Sequence, residues 1–252
     1  MLYLKNAPLL LRWHSKGFIR WMVLCIFITG TSYIHGQNTG MVFGPVITAG
    51  ETLVDFRIAY NADQDFWVYR NHLQHSFSDS FNLRGITFHT IDSSNKWNFR
   101  LFRVEGLWQF LKRKKAGWDS ALRLELQIAK GDDLPNWVRL AWSGMYEIND
   151  DWRITGNFLT GREIGTAGDS EALFEIRAQI SRKISKTSRL AIDYFGNMNH
   201  FEALDDWESH RHQLGPTWGI RLNKTIITTG ALFGLSEAAA NVEYRLAIAY
   251  SF

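Results

Sequence analysis

The sequence predicts an all-β protein: a closed antiparallel transmembrane β-barrel of about twelve strands with up-and-down topology, preceded by a cleaved signal peptide. Three observations predict this fold. Apolar and polar residues alternate with a period of two, which is the spacing of a strand with two unlike faces. The apolar faces end in aromatic residues, and the polar faces carry pairs of opposite charges. Together they indicate strands whose apolar side contacts lipid and whose ionic side is enclosed.

Composition and charge limit the class of protein. The 252 residues are 46% hydrophobic and 21% charged, with 4 Pro and 1 Cys, which argues against disorder, collagen and a disulfide scaffold. A mean hydropathy of −0.19 argues against many membrane-spanning helices, since each needs about 20 apolar residues. The net charge is +3, but without the cations of residues 1–36 the chain has 24 basic and 25 acidic residues. The basic isoelectric point therefore does not indicate a nucleic-acid partner.

Residues 1–36 have the composition of a secretory signal peptide. Four cations and no acid occur there: Lys5, Arg12, Lys16 and Arg20. The apolar run 21–28 follows, and cleavage is expected after Gly36 or after Ser32. An uncleaved anchor helix is the alternative, which the short apolar run disfavours. Cleavage removes Cys25, so the mature chain has no thiol chemistry. We expect residues 37–51 to be a periplasmic lead-in, with a short plug as the alternative, and residues 52–252 to form the barrel.

The alternation divides residues 52–252 into twelve strands. The clearest one contains Leu122 to Ile128, where leucine and isoleucine occupy one face and Arg, Glu and Gln the other. The predicted bounds are 52–60, 66–76, 81–90, 97–110, 118–129, 136–148, 152–160, 171–184, 188–197, 211–222, 225–234 and 241–252. The connections alternate between a longer and a tighter set. This matches the outside loops and periplasmic turns of an outer-membrane barrel, with both termini on the periplasmic side.

The apolar face changes along each strand. Strand middles carry aliphatic residues such as Leu124, Ile176, Ile192 and Leu246. The strand ends carry Tyr60, Trp67, Trp97 and Trp137 near the loops and Trp108, Trp118, Tyr146, Trp152 and Tyr250 near the turns. Rings at two levels predict the aromatic girdles of a bilayer-facing surface. Aromatic packing in a β-sandwich core is the alternative.

The polar face carries charges that repeat at every second position. The residues predicted to line the barrel interior are Asp55, Arg57, Arg103, Glu105, Arg123, Glu125, Arg139, Glu147, Arg153, Glu175, Arg177, Asp193, Arg221, Glu243 and Arg245. Residues two apart share one face of a sheet. In a soluble sandwich this face would be solvated, but the apolar opposite face favours a closed barrel, since an open strand edge in hydrocarbon leaves backbone groups unpaired.

Several segments resemble a family of small porin-like outer-membrane β-barrel proteins from Gram-negative bacteria. They are 105–109, 212–216, 231–236 and 249–252, and the resemblance extends loosely over most of residues 50–252. The final strand alternates apolar residues from Val242 to Phe252, and Tyr250 and Phe252 resemble the C-terminal signal read by the outer-membrane assembly machinery. The resemblance implies fold and location, and it supplies no catalytic residues, reaction or solute.

Few residues suggest catalysis or metal binding. His75 and Ser76 are adjacent, but a strand sends them to opposite faces. His210 and His212 share a strand face, and His200, Asp205, Asp206 and Glu208 lie in the preceding loop. Two spaced histidines are nevertheless a weak indication of a metal site. Residues 112–115 form a four-cation turn, which is solvated or contacts anionic headgroups. We expect no enzyme, cofactor or metal.

The predicted function is a narrow channel for small polar or charged solutes in the outer membrane. Twelve strands lie between a barrel filled by its side chains and one with a wide aqueous pore. A closed barrel with a structural or partner-anchoring role is the main alternative, and a lipid-modifying enzyme is a lesser one. The expected partners are membrane lipid, the assembly machinery and small polar solutes.

Overall fold

The computed structural model describes residues 40–252 except 92–95, 114–116, 132–134, 166–171 and 199–206. The predicted signal peptide, including Cys25, lies outside the described residues. Within those residues, no helix has the length and apolar character needed to cross a membrane.

Twelve strands follow one another along the chain. They are β1 (Thr52–Asn61), β2 (Phe66–Ser76), β3 (Phe81–Ile91), β4 (Trp97–Leu111), β5 (Trp118–Ala129), β6 (Asn136–Glu147), β7 (Trp152–Ile164), β8 (Ala172–Lys183), β9 (Ser188–Asn197), β10 (Arg211–Leu222), β11 (Thr225–Gly234) and β12 (Val242–Ser251). The predicted bounds agree within one residue except at the end of β7. That strand continues to Ile164, because Gly161 and Glu163 pair with Arg139 and Trp137 of β6.

Every strand pairs antiparallel with the next, and β1 pairs with β12 to close the barrel. At the closing seam Ile58 lies opposite Leu246 and Arg57 lies opposite Ala247. Apolar residues thus meet on the outer face, and the inner face is aligned in the same register. Closure leaves no strand edge without a hydrogen-bonded neighbour, as a bilayer requires. The predicted closed antiparallel barrel is confirmed.

Burial is inverted relative to a soluble protein. In β5, Arg123 and Glu125 are 6% and 3% exposed, whereas the intervening Leu124 and the following Leu126 are 49% and 46% exposed. The same alternation recurs around the barrel, with aliphatic and aromatic residues outside and charged or amide residues inside. An apolar outer surface of this extent is stable only against hydrocarbon, so the barrel belongs in a membrane.

Two aromatic girdles border the outer aliphatic surface. At the loop end the rings of Tyr60 and Trp67 lie 4.5 Å apart between centroids. At the turn end Trp118 and Tyr146 lie 5.1 Å apart. This arrangement, in a barrel with longer loops at one end, is that of an outer-membrane protein. The sequence interpretation was wrong for Trp137, which points inward and lies between two arginine side chains instead of joining the girdle.

The chain before β1 enters the barrel. Thr48 to Glu51 form a turn in which Gly50 has a φ of +74°, a conformation that favours glycine. The residues before that turn, Gly40–Ile47, contact side chains of the inner wall, and we call them the inner segment. They belong to residues 37–51, for which the sequence predicts a periplasmic lead-in or a short plug, and the barrel wall supplies their hydrogen-bond partners.

Candidate functional site

A continuous chain of ion pairs, which we call the ladder, covers one side of the inner wall from β3 to β8. Its members are Arg84, Arg103, Glu105, Arg123, Glu125, Arg139, Glu175 and Arg177. All eight point into the barrel because they occupy the inward positions of their strands. Five arginines against three glutamates give the ladder an excess of two positive charges if all its members are ionised.

The strand register explains why the ladder is diagonal in its centre. Glu105 of β4 lies directly opposite Glu125 of β5, a repulsive placement by itself. Arg123 Nη1 therefore reaches diagonally to Glu105 Oε2 at 2.6 Å, and Arg103 Nη1 reaches Glu125 Oε2 at 3.4 Å. Each carboxylate thus lies between guanidinium groups, which offsets the cost of removing these charges from water.

The ladder then crosses from β6 to β8. Arg139 Nη2 lies 2.6 Å from Glu125 Oε2, and its Nη1 lies 3.0 Å from Glu175 Oε2. The residue opposite Arg139 on the intervening strand is Gly161. A Cβ there would lie 2.5 Å from the carbonyl oxygen of Val138, so a larger residue would disturb β6 itself. Glycine often marks a turn, and the predicted β7 ends at residue 160, directly before Gly161, whereas the strand continues to Ile164.

The remaining wall carries fewer and more separate charges. On β1, Arg57 Nε donates to Asp55 Oδ2 at 2.7 Å. On β9, Asp193 accepts from Gln179 Nε2 at 2.7 Å and lies 3.9 Å from Arg245 Nη1. Opposite charges here pair with neighbours along the wall. Among the described residues of this wall, they do not segregate into one acidic and one basic side.

A cavity of about 310 Å³ occupies the loop-side half of the interior. Its lining includes the charged residues Arg70, Arg103, Arg139, Glu163, Glu175, Arg177 and Arg211. The five arginines and two glutamates leave an excess of three positive charges if all are ionised. The Trp137 ring forms part of the same wall, with the guanidinium carbons of Arg103 and Arg139 at 5.0 and 4.4 Å from its centroid.

Arg70 differs from the ladder arginines. In the part of the chain that the structure describes it makes no ion pair, and its guanidinium carbon lies 4.9 Å from the Phe88 ring. Its Nε atom is buried and has no hydrogen-bond partner among the described residues. A partly buried cation that faces a cavity in this way is suited to an anionic ligand.

The other residues predicted for the interior lie outside the ladder. Glu147 accepts a hydrogen bond from Arg153 and also pairs with Arg113, each at 2.7 Å, at the turn end. Arg221 is exposed at the same end. Glu243 is fully buried on β12. Strand alternation predicted the inner face for all of these residues. It does not predict how far along the barrel axis each side chain lies.

Several inward polar residues of β2 and β3 were not predicted from the sequence. Arg70, His72 and Gln74 occupy alternate positions of β2, and Arg84 occupies β3. Gln74 accepts hydrogen bonds from Arg84, which links β2 to the ladder. The outward residues of β2 include asparagine and histidine, so the apolar alternation that identified the other strands is weak there. The period-two spacing of 70, 72 and 74 is the signal that could have found them.

Of the histidine candidates, His75 and His212 occupy outward positions of β2 and β10, and His210 and His212 are only 3% and 1% exposed. His75 pairs with Thr52 Oγ1 at 2.8 Å on the outside, and Ser76 is buried inside. The His212 ring stacks on Trp207 at 3.5 Å and contacts Tyr194 Oη at 2.9 Å. His200, Asp205 and Asp206 lie outside the described residues. Elsewhere in 40–252, the described residues contain no group of three or more His, Cys, Asp or Glu placed to hold a metal ion.

Comparison with solved structures establishes the fold. The chain is similar to the KdgM porin, with a TM-score of 0.57 and 13% identity over 79% of this chain and 99% of that one. A KdgM porin in complex with disordered oligogalacturonate gives a TM-score of 0.58 and 12% identity over 79% of this chain and 99% of that one. The NanC porin gives a TM-score of 0.56 and 10% identity over 79% of this chain and 100% of that one. No protein-family model and no curated protein sequence matches the chain. These similar structures are porins and not enzymes, and the chain has the fold of an outer-membrane porin.

Proposed function

We propose that the protein is an outer-membrane channel for small anionic solutes, which enter through the loop-side cavity. The observation that carries the proposal is the excess of arginine over glutamate in the cavity lining. Arginine presents a planar fork of donors that matches a carboxylate or phosphate. A narrow polar path lined by fixed cations favours anions and rejects cations.

The ladder supports this function by holding the arginines in place. Without fixed partners, a guanidinium would turn towards the nearest available carboxylate. Here Arg139 and Arg177 are held by Glu175 at 3.0 and 2.6 Å, and their remaining donors are oriented by the wall. Conduction requires binding that is favourable but not too tight. Arginines already shared with glutamates meet that condition better than isolated ones.

The porin neighbours are compatible with this proposal. One of them was solved with oligogalacturonate, a polymer of sugar acids that carries a carboxylate on each unit. That ligand belongs to that protein, and the identity to this chain is 12%. For this chain we propose only the shared chemical class, a small or oligomeric carboxylate.

Reversal-potential measurements test the proposal. The refolded chain without residues 1–36 is placed in a planar bilayer under a KCl gradient. We expect the open current to be anion-selective, and Arg70→Gln to reduce that selectivity because it removes the cavity cation that has no ion pair among the described residues. Arg182→Gln is the matched control, since Arg182 is exposed on the outer face beside Trp152. A cation-selective current, or equal effects of the two variants, would contradict the proposal.

A closed barrel with a structural or anchoring role is the second candidate. The inner segment favours it, because that segment occupies interior space beside Ser143 and Asn157. A closed barrel predicts no current from any variant, including one from which the inner segment has been deleted. The bilayer measurement therefore separates the two functions.

A further inference from the structure

We infer that the inner segment, Gly40–Ile47, is an autoinhibitory element that occupies a second anion site formed by Arg123, Arg177 and Arg245. We further infer that carboxylate solutes displace it. The inference rests on the proposed function, because it names the chemistry by which that channel opens.

The inner segment is held mainly through its backbone. Arg177 Nη1 donates to the carbonyl oxygen of Met41 at 3.1 Å, and Arg245 Nη2 donates to that of Gly40. The Arg123 guanidinium carbon lies 3.2 Å from the centre of the Phe43 ring. Three arginines from β5, β8 and β12 thus converge on three residues of one short segment.

The contacts nearer the turn end are neutral. Phe43 N donates to Asn157 Oδ1 at 3.0 Å, and its carbonyl oxygen accepts from Ser143 Oγ at 2.7 Å and Asn157 Nδ2 at 2.9 Å. Ile47 N donates to Gln109 Oε1 at 3.0 Å. The Ile47 side chain lies in a small apolar cluster with inward residues of β4 and β5. These contacts fix the segment's position and leave its arginine contacts as the charge-sensitive part.

The arginine contacts are replaceable because of what accepts them. A guanidinium binds a carboxylate more strongly than an amide carbonyl, since both partners are then charged. The segment offers Arg177 and Arg245 only carbonyl oxygens and offers Arg123 the face of a ring. Arg177 also lines the cavity. A carboxylate that enters the cavity therefore reaches an arginine shared with the inner segment, and it can take over that donor.

Thiol labelling tests displacement without relying on current. Because the chain after residue 36 contains no cysteine, Met41→Cys introduces a unique thiol into the inner segment. We expect a water-soluble maleimide to label it about tenfold faster in citrate than in chloride of equal ionic strength, because a ligand shifts a minor open state by its differential affinity. Equal labelling rates in citrate and chloride would overturn the inference.

A reversible disulfide tests closure. A Cβ at Gly44 would lie 4.0 Å from the Met145 sulfur, so Gly44→Cys with Met145→Cys is expected to tether the segment to β6 when oxidised. We expect the oxidised form to conduct less than the same sample after reduction, with each single variant unaffected by oxidant. Equal currents would overturn the inference and leave the anion channel standing. An open current that is cation-selective, with faster labelling in citrate, would instead contradict only the proposed anion channel.

Discussion

The loop-side and turn-side halves of the barrel interior differ in what fills them. The loop-side half has a cavity and an excess of arginine, whereas the turn-side half is occupied by the inner segment and lined there by Ser143, Asn157 and Gln109. Both halves use the same alternating strands, so the difference is not in the fold. It lies in the residues at the inward positions, since arginines line the cavity and neutral side chains hold Phe43 and Ile47 of the inner segment.

The ladder connects the two halves, because its central members reach both the cavity and the inner segment. Arg103 and Arg139 line the cavity, and Arg123 contacts Phe43. Glu125 lies between these three arginines. We therefore expect a substitution in the ladder to affect both halves, and a substitution in one half alone to have a smaller effect on stability.

We expect Glu125→Gln to have the largest effect. Its Oε2 accepts from Arg139 at 2.6 Å and Arg103 at 3.4 Å, so a neutral residue leaves buried guanidinium groups short of a carboxylate. The expected loss in free energy of unfolding is about 3 kcal/mol. Urea titration of the barrel in lipid vesicles, followed by tryptophan fluorescence, measures it.

Glu237→Gln is the control for that experiment. Glu237 is exposed in the connection between β11 and β12, so the same chemical change there is expected to leave the unfolding midpoint unchanged. If both variants unfold at the same urea concentration, the ladder does not stabilise the barrel.

A smaller and more local effect is expected from Ile47→Ala. Ile47 is 8% exposed and packs with Leu107 and Ala121, so its truncation should weaken docking of the inner segment by about 2 kcal/mol. The barrel should keep its unfolding midpoint, since the substitution leaves the hydrogen bonds between its strands unchanged. Hydrogen exchange at the Ile47 amide, which donates to Gln109, is the measurement.

Val46→Ala provides the matched comparison, because Val46 is the adjacent residue and is 53% exposed. Faster amide exchange in the Ile47 variant alone supports docking through the apolar cluster. If the two variants exchange equally, or if the Ile47 variant lowers the midpoint of the whole barrel, the inner segment is not an independent element.

Most of the fold could be predicted from the sequence. Period-two alternation depends on local chain geometry alone, so strand bounds and faces follow from it. The weak point was β2, whose outward residues include Asn71 and His75 and whose inward Arg70 therefore escaped notice. The other large miss was the end of β7, where Gly161 serves close strand packing and not a turn.

Partners inside the barrel could not be predicted in the same way. The charge pairs at alternate positions of one strand, such as Arg123 and Glu125, indicate only a shared face. The ladder depends on register between strands, which sets Glu105 opposite Glu125 and makes the short contacts diagonal. The inner segment depends on contacts as distant in sequence as Met41 and Arg177. Neither register nor such distant contacts leave a local pattern in the sequence.

The smallest effect is expected at the turn between β4 and β5, which lies outside both halves. Lys112 Nζ lies 2.6 Å from Asp79 Oδ2, and its hydrogen bond lowers the pKa of the Asp79 carboxyl below its ordinary value. A depressed carboxyl pKa stabilises the fold above the unfolded pKa, and that contribution is lost as the pH falls through the folded value. Both side chains are exposed, so solvent screens the pair.

Lys112→Ala should therefore raise the Asp79 pKa towards its ordinary value in an NMR titration and leave the unfolding midpoint unchanged from neutral pH down to the acid range. Lys112 also belongs to the four-cation turn 112–115, for which contact with anionic headgroups is one of the two predicted roles. Weaker binding of the variant to anionic vesicles, with its stability unchanged, would assign Lys112 to the membrane surface. An unchanged Asp79 titration would show that the ion pair does not form in solution.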